Sequence, residues 1–463
     1  MKTINLVQVN NIYCQTDQAG RSLLAPCLSY RKSYWKQNQY RKEEMFYDVC
    51  LIERNGLLLT GFLPRILKYC SKNGILLNIL NQENQPAIKK PNQKSLLSFL
   101  EKVKKSLGKE YRENQLLKQS ELIKSALIAK RGILVSPTGT GKTTLALGIA
   151  SAFPSSKILY VVHTKSLVTQ TSKEFEKYGF KISRVMEGVK DQSQKIVVAT
   201  RQSLINMKLE KYDVVMVDEV HRLSSADGTY SKILTQINAA YRFGFTATFE
   251  ETKKVVKLAT EGLIGKVVGE LTMEKAQEME ILAKPKIKII KIPKQFLESS
   301  GYANVYDEAV VFSKVRNKII VKLVRNYNKE NKIVFIIVTK VEHGKEICRI
   351  AKNLYDFDIP FIHGGTPSEE RELCKQLLMT KKLKTVVTTV VWREGINIPA
   401  LDVIVNASGG KDDLQIVQLI GRGLRLMEGK KEMTLVDFFD ESSNYLIKHF
   451  GNRICLFSEK GWL

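Results

Sequence analysis

The stretch GILVSPTGTGKTTLALGIASAF, at residues 132–153, joins an apolar run to a helix-forming run through a glycine-rich loop. Apolar runs of this length are typical of buried strands. Gly139 and Gly141 allow backbone N–H groups to curve around phosphates, and Lys142 can reach the outer phosphate oxygens of a nucleotide. The Thr143 hydroxyl is a suitable magnesium ligand in such a loop. The stretch therefore predicts a phosphate-binding loop at the end of a parallel strand.

Short apolar runs alternate with helical patterns on both sides of this loop. One series lies between residues 110 and 250 and a second between 331 and 440, and the intervening stretch is richer in helix formers. Continuous apolar runs suit strands that are buried on both faces of a parallel sheet. We therefore predict an α/β protein with two such domains, residues 106–285 and 286–463, the second ending in a helical extension.

The first 105 residues are predicted to form a separate small α+β domain. Residues 47–62 suggest two strands around an Asn-Gly turn, and residues 63–74 suggest a short helix that a glycine ends. Residues 81–95 are polar and contain prolines, as linkers do. We expect from this linker that the small domain can be removed without disrupting its neighbour.

Composition limits the classes of function. The chain has 463 residues and a formal net charge of +26, which favours a polyanionic partner over a merely lysine-rich composition. No run of eighteen apolar residues and no secretion signal is visible, so we expect no membrane association. The seven cysteines form no CxxC pattern. This spacing indicates reduced thiols in a cytoplasmic protein rather than a zinc site.

Two carboxylates follow the apolar run in VVMVDEVH, residues 214–221. Asp218 can hold magnesium through water, and Glu219 can polarise an attacking water. Acids are common at strand ends, and it is the upstream loop that makes these two informative. His221 is either a core histidine or a link between the nucleotide and other motifs, and we favour the link.

The stretch QLIGRGLR, residues 418–425, places Arg422 and Arg425 three positions apart. That spacing puts both on one face of a helix. A phosphoryl-transfer site needs positive charge against the outer phosphate, and a second domain can supply it. The alternative is a surface helix with two solvated arginines.

Taken in order, these stretches resemble the motifs of superfamily 2 helicases of the DExH kind over about residues 115–425. The further matching stretches are YRENQ, VVHTKSLVTQ, VATRQSL, TAT, FIIVTK, IHGGTPSEER and VVWREGINIP. The resemblance implies two RecA-like domains with ATP and Mg²⁺ as cofactors, Thr143 and Asp218 as metal ligands, and catalysis by Glu219, Asp218, Lys142, Arg422 and Arg425. The residues implied to bind the nucleotide are Gln115, Pro137, Thr138, Gly139, Thr140, Gly141, Lys142, Thr143, Thr144, Gly395 and Asn397. Asn397 stands where the family often has aspartate, which weakens any charge-based role there.

The resemblance also implies contacts to a sugar-phosphate backbone. These would come from Thr164, Lys165, Thr200, Arg201, Lys340, Gly364 and Thr389. Residues 30–42, YRKSYWKQNQYRK, add a basic stretch with interleaved aromatics, and Arg31, Lys32 and Trp35 are its candidate DNA contacts. The alternative is that these aromatics pack into the core of the small domain.

Narrower likenesses point to phage recombination helicases. They lie in EGLIGKVVGELT, VRNKIIVKLV and TLVDFFDESSNYLIKHF. They imply an ATP-dependent helicase or translocase that acts on branched DNA such as forks and Holliday junctions. We expect a monomer in the cytoplasm, which is the host cytoplasm if the protein is of phage origin. Three alternatives remain: an RNA helicase of the same superfamily, a DNA-binding scaffold with a vestigial nucleotide site, and a restriction motor. No nuclease-like carboxylate cluster supports the last.

Overall fold

The computed structural model describes residues 2–37, 42–81, 86, 89–106, 113–223, 228–247, 249, 254–389, 401–410 and 432–463. The chain divides into two compact units. The first comprises Met1–Leu107, Leu116–Ser136 and Gly141–Leu271, and the second Gly108–Gln115, Pro137–Thr140 and Thr272–Leu463. Among the described helices, none combines the length and the apolar character that crossing a membrane requires.

A small four-stranded sheet begins the first unit. Its strands, in the order β5-β2-β1-β6, are β1 Thr3–Gln8, β2 Tyr13–Thr16, β5 Leu57–Leu59 and β6 Leu76–Asn81. Helices α1 Gln18–Leu24 and α2 Leu63–Lys72 pack on it. Helix α2 ends just before Gly74, whose φ of +62° is a conformation that glycine adopts without strain, so the predicted helix stop is confirmed.

The two strands predicted around an Asn-Gly turn within residues 47–62 are confirmed, but they belong to different sheets. The turn exists, since the Gly56 N–H donates to the Glu53 carbonyl at 3.0 Å. However, the strand before it, β4 Lys42–Cys50, pairs with β3 Ser29–Gln37, while the strand after it, β5, pairs with β2. The cause is burial: Leu58 on β5 belongs to the domain core, whereas residues 44–48 on β4 are exposed.

The small domain is also more firmly attached than its polar linker suggests. The Arg131 guanidinium donates to the Asn11 carbonyl at 3.1 Å, and Leu258 lies in the core of the small domain. A Cβ added to Gly61 would lie 2.0 Å from the Glu261 carbonyl oxygen. Removing residues 1–105 would therefore expose buried apolar and polar surface, contrary to our expectation from sequence.

A parallel eight-stranded sheet, with one antiparallel edge strand, forms the rest of the first unit. Its order is β10-β9-β11-β8-β12-β13-β7-β14. The strands are β7 Arg131–Val135, β8 Ile158–Val162, β9 Ile182–Met186, β10 Val189–Lys190, β11 Ile196–Thr200, β12 Val214–Val217, β13 Tyr241–Thr246 and β14 Val267–Glu270. The helices are α3 Gln93–Ser106, α4 Glu113–Ala129, α5 Lys142–Ser151, α6 Lys165–Lys177, α7 Arg201–Leu204, α8 Thr229–Leu234 and α9 Lys254–Leu263.

The second unit contains a parallel six-stranded sheet in the order β15-β20-β19-β16-β18-β17. The strands are β15 Pro285–Ile292, β16 Val334–Ile337, β17 Phe361–Ile362, β18 Thr385–Thr388, β19 Val403–Asn406 and β20 Met433–Asp440. The helices are α10 Met273–Glu278, α11 Tyr302–Tyr306, α12 Lys314–Lys329, α13 Val341–Tyr355, α14 Ser368–Met379 and α15 Asn444–Glu459, with a π-helical turn at Asp307–Val311. The predicted α/β class with two parallel sheets is confirmed.

Candidate active site and nucleic-acid contacts

The glycine-rich loop leaves strand β7 and enters helix α5. Gly139 and Gly141 have φ angles of +95° and +90°, a region that side-chain-bearing residues adopt only with strain. A Cβ on Gly141 would also lie 2.3 Å from the Gln119 amide nitrogen. Helix α5 begins at Lys142 with no side chain capping its first turn, so its N–H groups are suited to phosphate oxygens. The loop therefore has the backbone conformation that binding of a nucleotide phosphate requires.

The two acids follow the buried strand β12. The Asp218 N–H donates to the Val161 carbonyl at 2.9 Å, which continues the sheet ladder by one residue. Glu219 has a φ of +50°, uncommon for a residue with a Cβ. Its carboxylate lies 3.8 Å from the Lys142 ammonium. The structure thus brings the loop lysine and this acid together, although 77 positions separate them in sequence.

The charge around Asp218 fits a divalent cation. Burial, followed by the charge of the neighbouring Glu219, raises the pKa of Asp218 to about 6, and Lys142 acts in the opposite direction. A buried carboxylate beside a second one has too much negative charge, which a cation would balance. Within the described residues, no cluster of three or more histidine, cysteine or acidic side chains could hold a metal.

His221 joins the acids to the next strand. Its Nδ1 lies 3.0 Å from the Thr246 hydroxyl and 3.2 Å from a Glu219 carboxylate oxygen. Thr246 is the fully buried last residue of β13 and begins the TAT stretch. This contact fits the hypothesis that His221 links the nucleotide site to other motifs.

Gln115 contacts the loop itself. Its side-chain amide donates to the Thr140 carbonyl at 3.2 Å, and the Thr140 hydroxyl donates to the Pro137 carbonyl at 2.7 Å. These bonds hold the loop backbone. A role for Gln115 in nucleotide binding stays a prediction.

The residues of the first unit that are candidate contacts to the sugar-phosphate backbone of DNA differ in accessibility. Thr164 caps helix α6 with its hydroxyl, and the largely exposed Lys165 forms an ion pair with Glu187. Thr200 is buried and donates to a nearby serine at 3.0 Å. The Arg201 guanidinium lies 5.3 Å from the centre of a tyrosine ring. Lys165 is therefore the member of this set best placed to meet a phosphate.

Two of the three candidate DNA contacts in the second unit, Lys340 and Gly364, are engaged by other residues of the protein. Lys340 forms a 2.5 Å ion pair with Asp307, and the Gly364 carbonyl accepts a hydrogen bond from an arginine at 2.8 Å. Thr389 is buried, and its hydroxyl has no hydrogen-bond partner within the described chain. Roles for these residues in DNA binding stay predictions.

Several predicted residues lie outside the described part of the chain. They are Gly395, Asn397, Arg422 and Arg425. The backbone of Trp35 belongs to strand β3, but its side chain is not described.

The hairpin of β3 and β4 carries aromatic side chains that sequence reasoning assigned only in part. Tyr34, Phe46 and Tyr47 are 48%, 50% and 44% exposed. The Arg31 guanidinium lies 4.7 Å from the centre of the Phe46 ring, and the Lys32 ammonium lies 6.0 Å from that of Tyr47. The alternative that these aromatics fill the domain core therefore does not hold for Tyr34. The opposite strand contributes Phe46 and Tyr47, which only the cross-strand register reveals.

Two parallel sheets, a phosphate loop and acids next to its lysine define a nucleoside-triphosphate-hydrolysing motor protein with tandem RecA-like domains. Family models agree: "Type III restriction enzyme, res subunit" matches residues 83–251 and "Helicase conserved C-terminal domain" matches residues 315–427. The chain belongs to superfamily 2 of the helicases and is an ATP-dependent helicase.

Two relatives cover most of the chain. "ATP-dependent DNA helicase uvsW" of Enterobacteria phage T4 is 26% identical over 445 residues, which are 89% of this chain and 88% of the relative. "DNA 3'-5' translocase XPB2" of Sulfurisphaera tokodaii is 27% identical over 364 residues, 69% of this chain and 80% of the relative.

Solved structures agree on the fold. The Pyrococcus furiosus Hef helicase domain is 15% identical with a TM-score of 0.52, covering 74% of this chain and 98% of that one. S. cerevisiae Dbp5 bound to RNA and ADP BeF3 is 16% identical with a TM-score of 0.54, and the match covers 78% of this chain and 93% of that one.

Proposed function

We propose that this protein is an ATP-dependent DNA helicase or translocase that unwinds or branch-migrates branched DNA, including forks and Holliday junctions, in replication, recombination and repair. The observation that carries the motor activity is the meeting of Lys142, Asp218 and Glu219 beside the glycine loop. DNA as the substrate is supported by the two relatives named above and by the net charge of +26.

In this proposal residues 106–285 bind ATP, and residues 286–463 complete the site. ATP supplies the phosphoanhydride bond whose hydrolysis drives the motor. The loop backbone and Lys142 hold its phosphates, and Thr143 and Asp218 hold Mg²⁺. Glu219 orients the attacking water.

Arg422 and Arg425 supply positive charge to the outer phosphate from the second domain. Since these arginines come from the other domain, hydrolysis requires both domains to act together. ATP turnover is thereby coupled to movement along DNA.

Residues 1–105 select the substrate through the β3–β4 hairpin. Both of its strands expose side chains: β3 presents Arg31, Lys32 and Tyr34, and β4 presents Phe46 and Tyr47 between the acids Glu44 and Asp48. Guanidinium and ammonium groups neutralise phosphates, while exposed rings stack on unpaired bases. Unpaired bases and duplex arms coexist at a junction. We propose that the protein works as a monomer in the cytoplasm, that of the host if it is of phage origin.

A hairpin variant tests this assignment. Tyr34→Ala with Tyr47→Ala should lower the ratio of four-way-junction affinity to single-strand affinity, because the stacking platform is lost, while ATP turnover stimulated by single-stranded DNA persists. Stacking on an aromatic contributes about 1–3 kcal/mol per base, so we expect a decrease of roughly tenfold or more. Phe296→Ala, at a ring that is 99% exposed in the second unit, is the matched control. An unchanged ratio would remove substrate selection from the hairpin.

A comparison of nucleic acids tests the substrate class. ATP turnover is measured with single-stranded DNA, single-stranded RNA and no nucleic acid at one ionic strength. DNA should stimulate turnover more than RNA does. Equal or greater stimulation by RNA would favour the RNA helicase alternative.

A further inference from the structure

A short loop follows strand β19 in the second unit, and we call residues 407–410 the carbonyl loop. Three side chains from different elements donate hydrogen bonds to it. Arg316 donates to the first carbonyl at 3.2 Å, Tyr306 to the second at 2.5 Å, and Arg453 to the last at 3.3 Å. In sequence, this loop runs directly into the stretch that contains Arg422 and Arg425. The three donors therefore fix the backbone of the carbonyl loop.

Two of the three donors are held in place by buried acids. Arg453 Nε lies 2.7 Å from the Asp437 carboxylate, and Arg316 Nη1 lies 3.6 Å from that of Asp440. Both arginines are only 1% exposed. A buried ion pair is costly to break, so these two donors act as fixed anchors.

The third donor, Tyr306, connects the carbonyl loop to Thr339, which lies just after strand β16. Its hydroxyl lies 3.1 Å from the Thr339 hydroxyl as well as 2.5 Å from the Ser408 carbonyl. A carbonyl can only accept, so the single phenol proton goes to Ser408 and Thr339 donates to the phenol oxygen. Burial raises the pKa of Tyr306, which keeps this proton in place. Strands β16 and β19 are neighbours, and Tyr306 bridges the segments that follow their ends.

The adjacent residues repeat this connection at the surface. Asp307, directly after Tyr306, forms the 2.5 Å ion pair with Lys340, which directly follows Thr339. The Asp307 and Lys340 side chains are 35% and 41% exposed, whereas Tyr306 is 5% exposed. A phosphate can therefore reach the ion pair but not the phenol. Asp307 also begins the π-helical turn, a feature frequent at functional sites.

We propose that Tyr306 is a positioning residue that transmits the state of the Lys340–Asp307 ion pair to the carbonyl loop. A DNA phosphate that takes Lys340 leaves Asp307 without its partner and frees the π-helical turn to shift. Tyr306 then moves relative to Thr339 and Ser408, which shifts the carbonyl loop, and in sequence this loop precedes the two arginines. The inference rests on the proposed function, in which Lys340 contacts DNA and these arginines act on ATP.

Tyr306→Phe tests the connection, because it keeps the ring and removes both hydrogen bonds. We expect kcat in saturating single-stranded DNA to fall by about threefold to tenfold, the range of one or two lost hydrogen bonds. KM for ATP and Kd for DNA should stay within twofold of the parent values. The matched control is Tyr445→Phe, which removes a hydroxyl from the same aromatic cluster at a ring that is 46% exposed.

Asp307→Asn tests the ion-pair end of the connection and removes a charge whose side chain is 35% exposed. Lys340 would be released, so DNA affinity should increase by about twofold to fivefold, the scale of an exposed ion pair, while the stimulation of ATP turnover by DNA decreases. A merely structural defect would lower both the DNA affinity and the stimulation of ATP turnover by DNA. The inference is overturned if Tyr306→Phe retains the full stimulation shown by the parent, or if Asp307→Asn weakens DNA binding. If the parent itself shows no stimulation by DNA, it is the proposed function that fails.

Discussion

Replacing Glu219 by glutamine keeps the side chain's size and removes its charge and its basicity. One carboxylate oxygen lies 3.8 Å from the Lys142 ammonium, and the other lies 3.2 Å from His221. An amide cannot take a proton from water. Loss of a positioned general base typically costs 10²–10⁴ in rate, so we expect ATP turnover to fall by about that factor.

ATP binding should not fall with it. The Coulomb attraction of two unit charges 3.8 Å apart is about 4 kcal/mol at an effective dielectric constant near 20, before desolvation is counted. In Glu219→Gln this attraction disappears, and Lys142 is free to meet phosphate. The charge of Glu219 also helps to raise the pKa of Asp218, so its removal favours the ionised form of Asp218 that binds a cation. ATP affinity should equal or exceed that of the parent.

The assay pairs phosphate release in saturating single-stranded DNA with titration of a fluorescent ATP analogue. Glu210→Gln is the control, since that carboxylate is half exposed and pairs with Lys157 in the same unit. Turnover within a few-fold of the parent would show that Glu219 is not the base. Loss of nucleotide binding would give Glu219 a structural role instead.

Three further predictions follow from the same site and from the net charge. Lys142→Ala should abolish ATP turnover and leave DNA affinity largely intact, and turnover within a few-fold of the parent would refute the loop assignment. Arg425→Ala, and to a lesser extent Arg422→Ala, should lower kcat by roughly 10³ or more, the scale of a missing arginine finger; retained hydrolysis would mean that the second domain does not contribute. DNA affinity should fall by a factor of about 10³–10⁵ between 50 and 200 mM salt if ~6–10 phosphates are neutralised. A nearly flat response would show that the net charge of +26 has no role in nucleic-acid binding.

The parallel sheets and the acid-bearing strand were predictable from local sequence. Strands β8 and β12 are continuous apolar runs, and all of their residues are buried as such runs require. The glycines of the phosphate loop have the positive φ angles that justify glycine there. In each case one short stretch contains the whole signal.

Pairings between distant segments were not predictable in this way. Nothing in the sequence around Arg131 indicates that its guanidinium donates a hydrogen bond to the Asn11 carbonyl, 120 positions upstream. The same holds for Tyr306, whose two partners lie 33 and 102 positions away. Hydrogen bonds of this kind depend on how finished elements pack, and residue type at one position does not specify them.

Under the proposed function, this motor acts on branched DNA. The most direct measurement is the rate of ATP-dependent strand separation on a fork, a four-way junction and a blunt duplex of equal length, taken side by side at one fixed salt concentration. We predict rapid unwinding of the fork and the four-way junction, little unwinding of the blunt duplex, and no unwinding of any of them by Lys142→Ala. Equal rates on all three substrates, or no ATP-dependent unwinding of any, would contradict it.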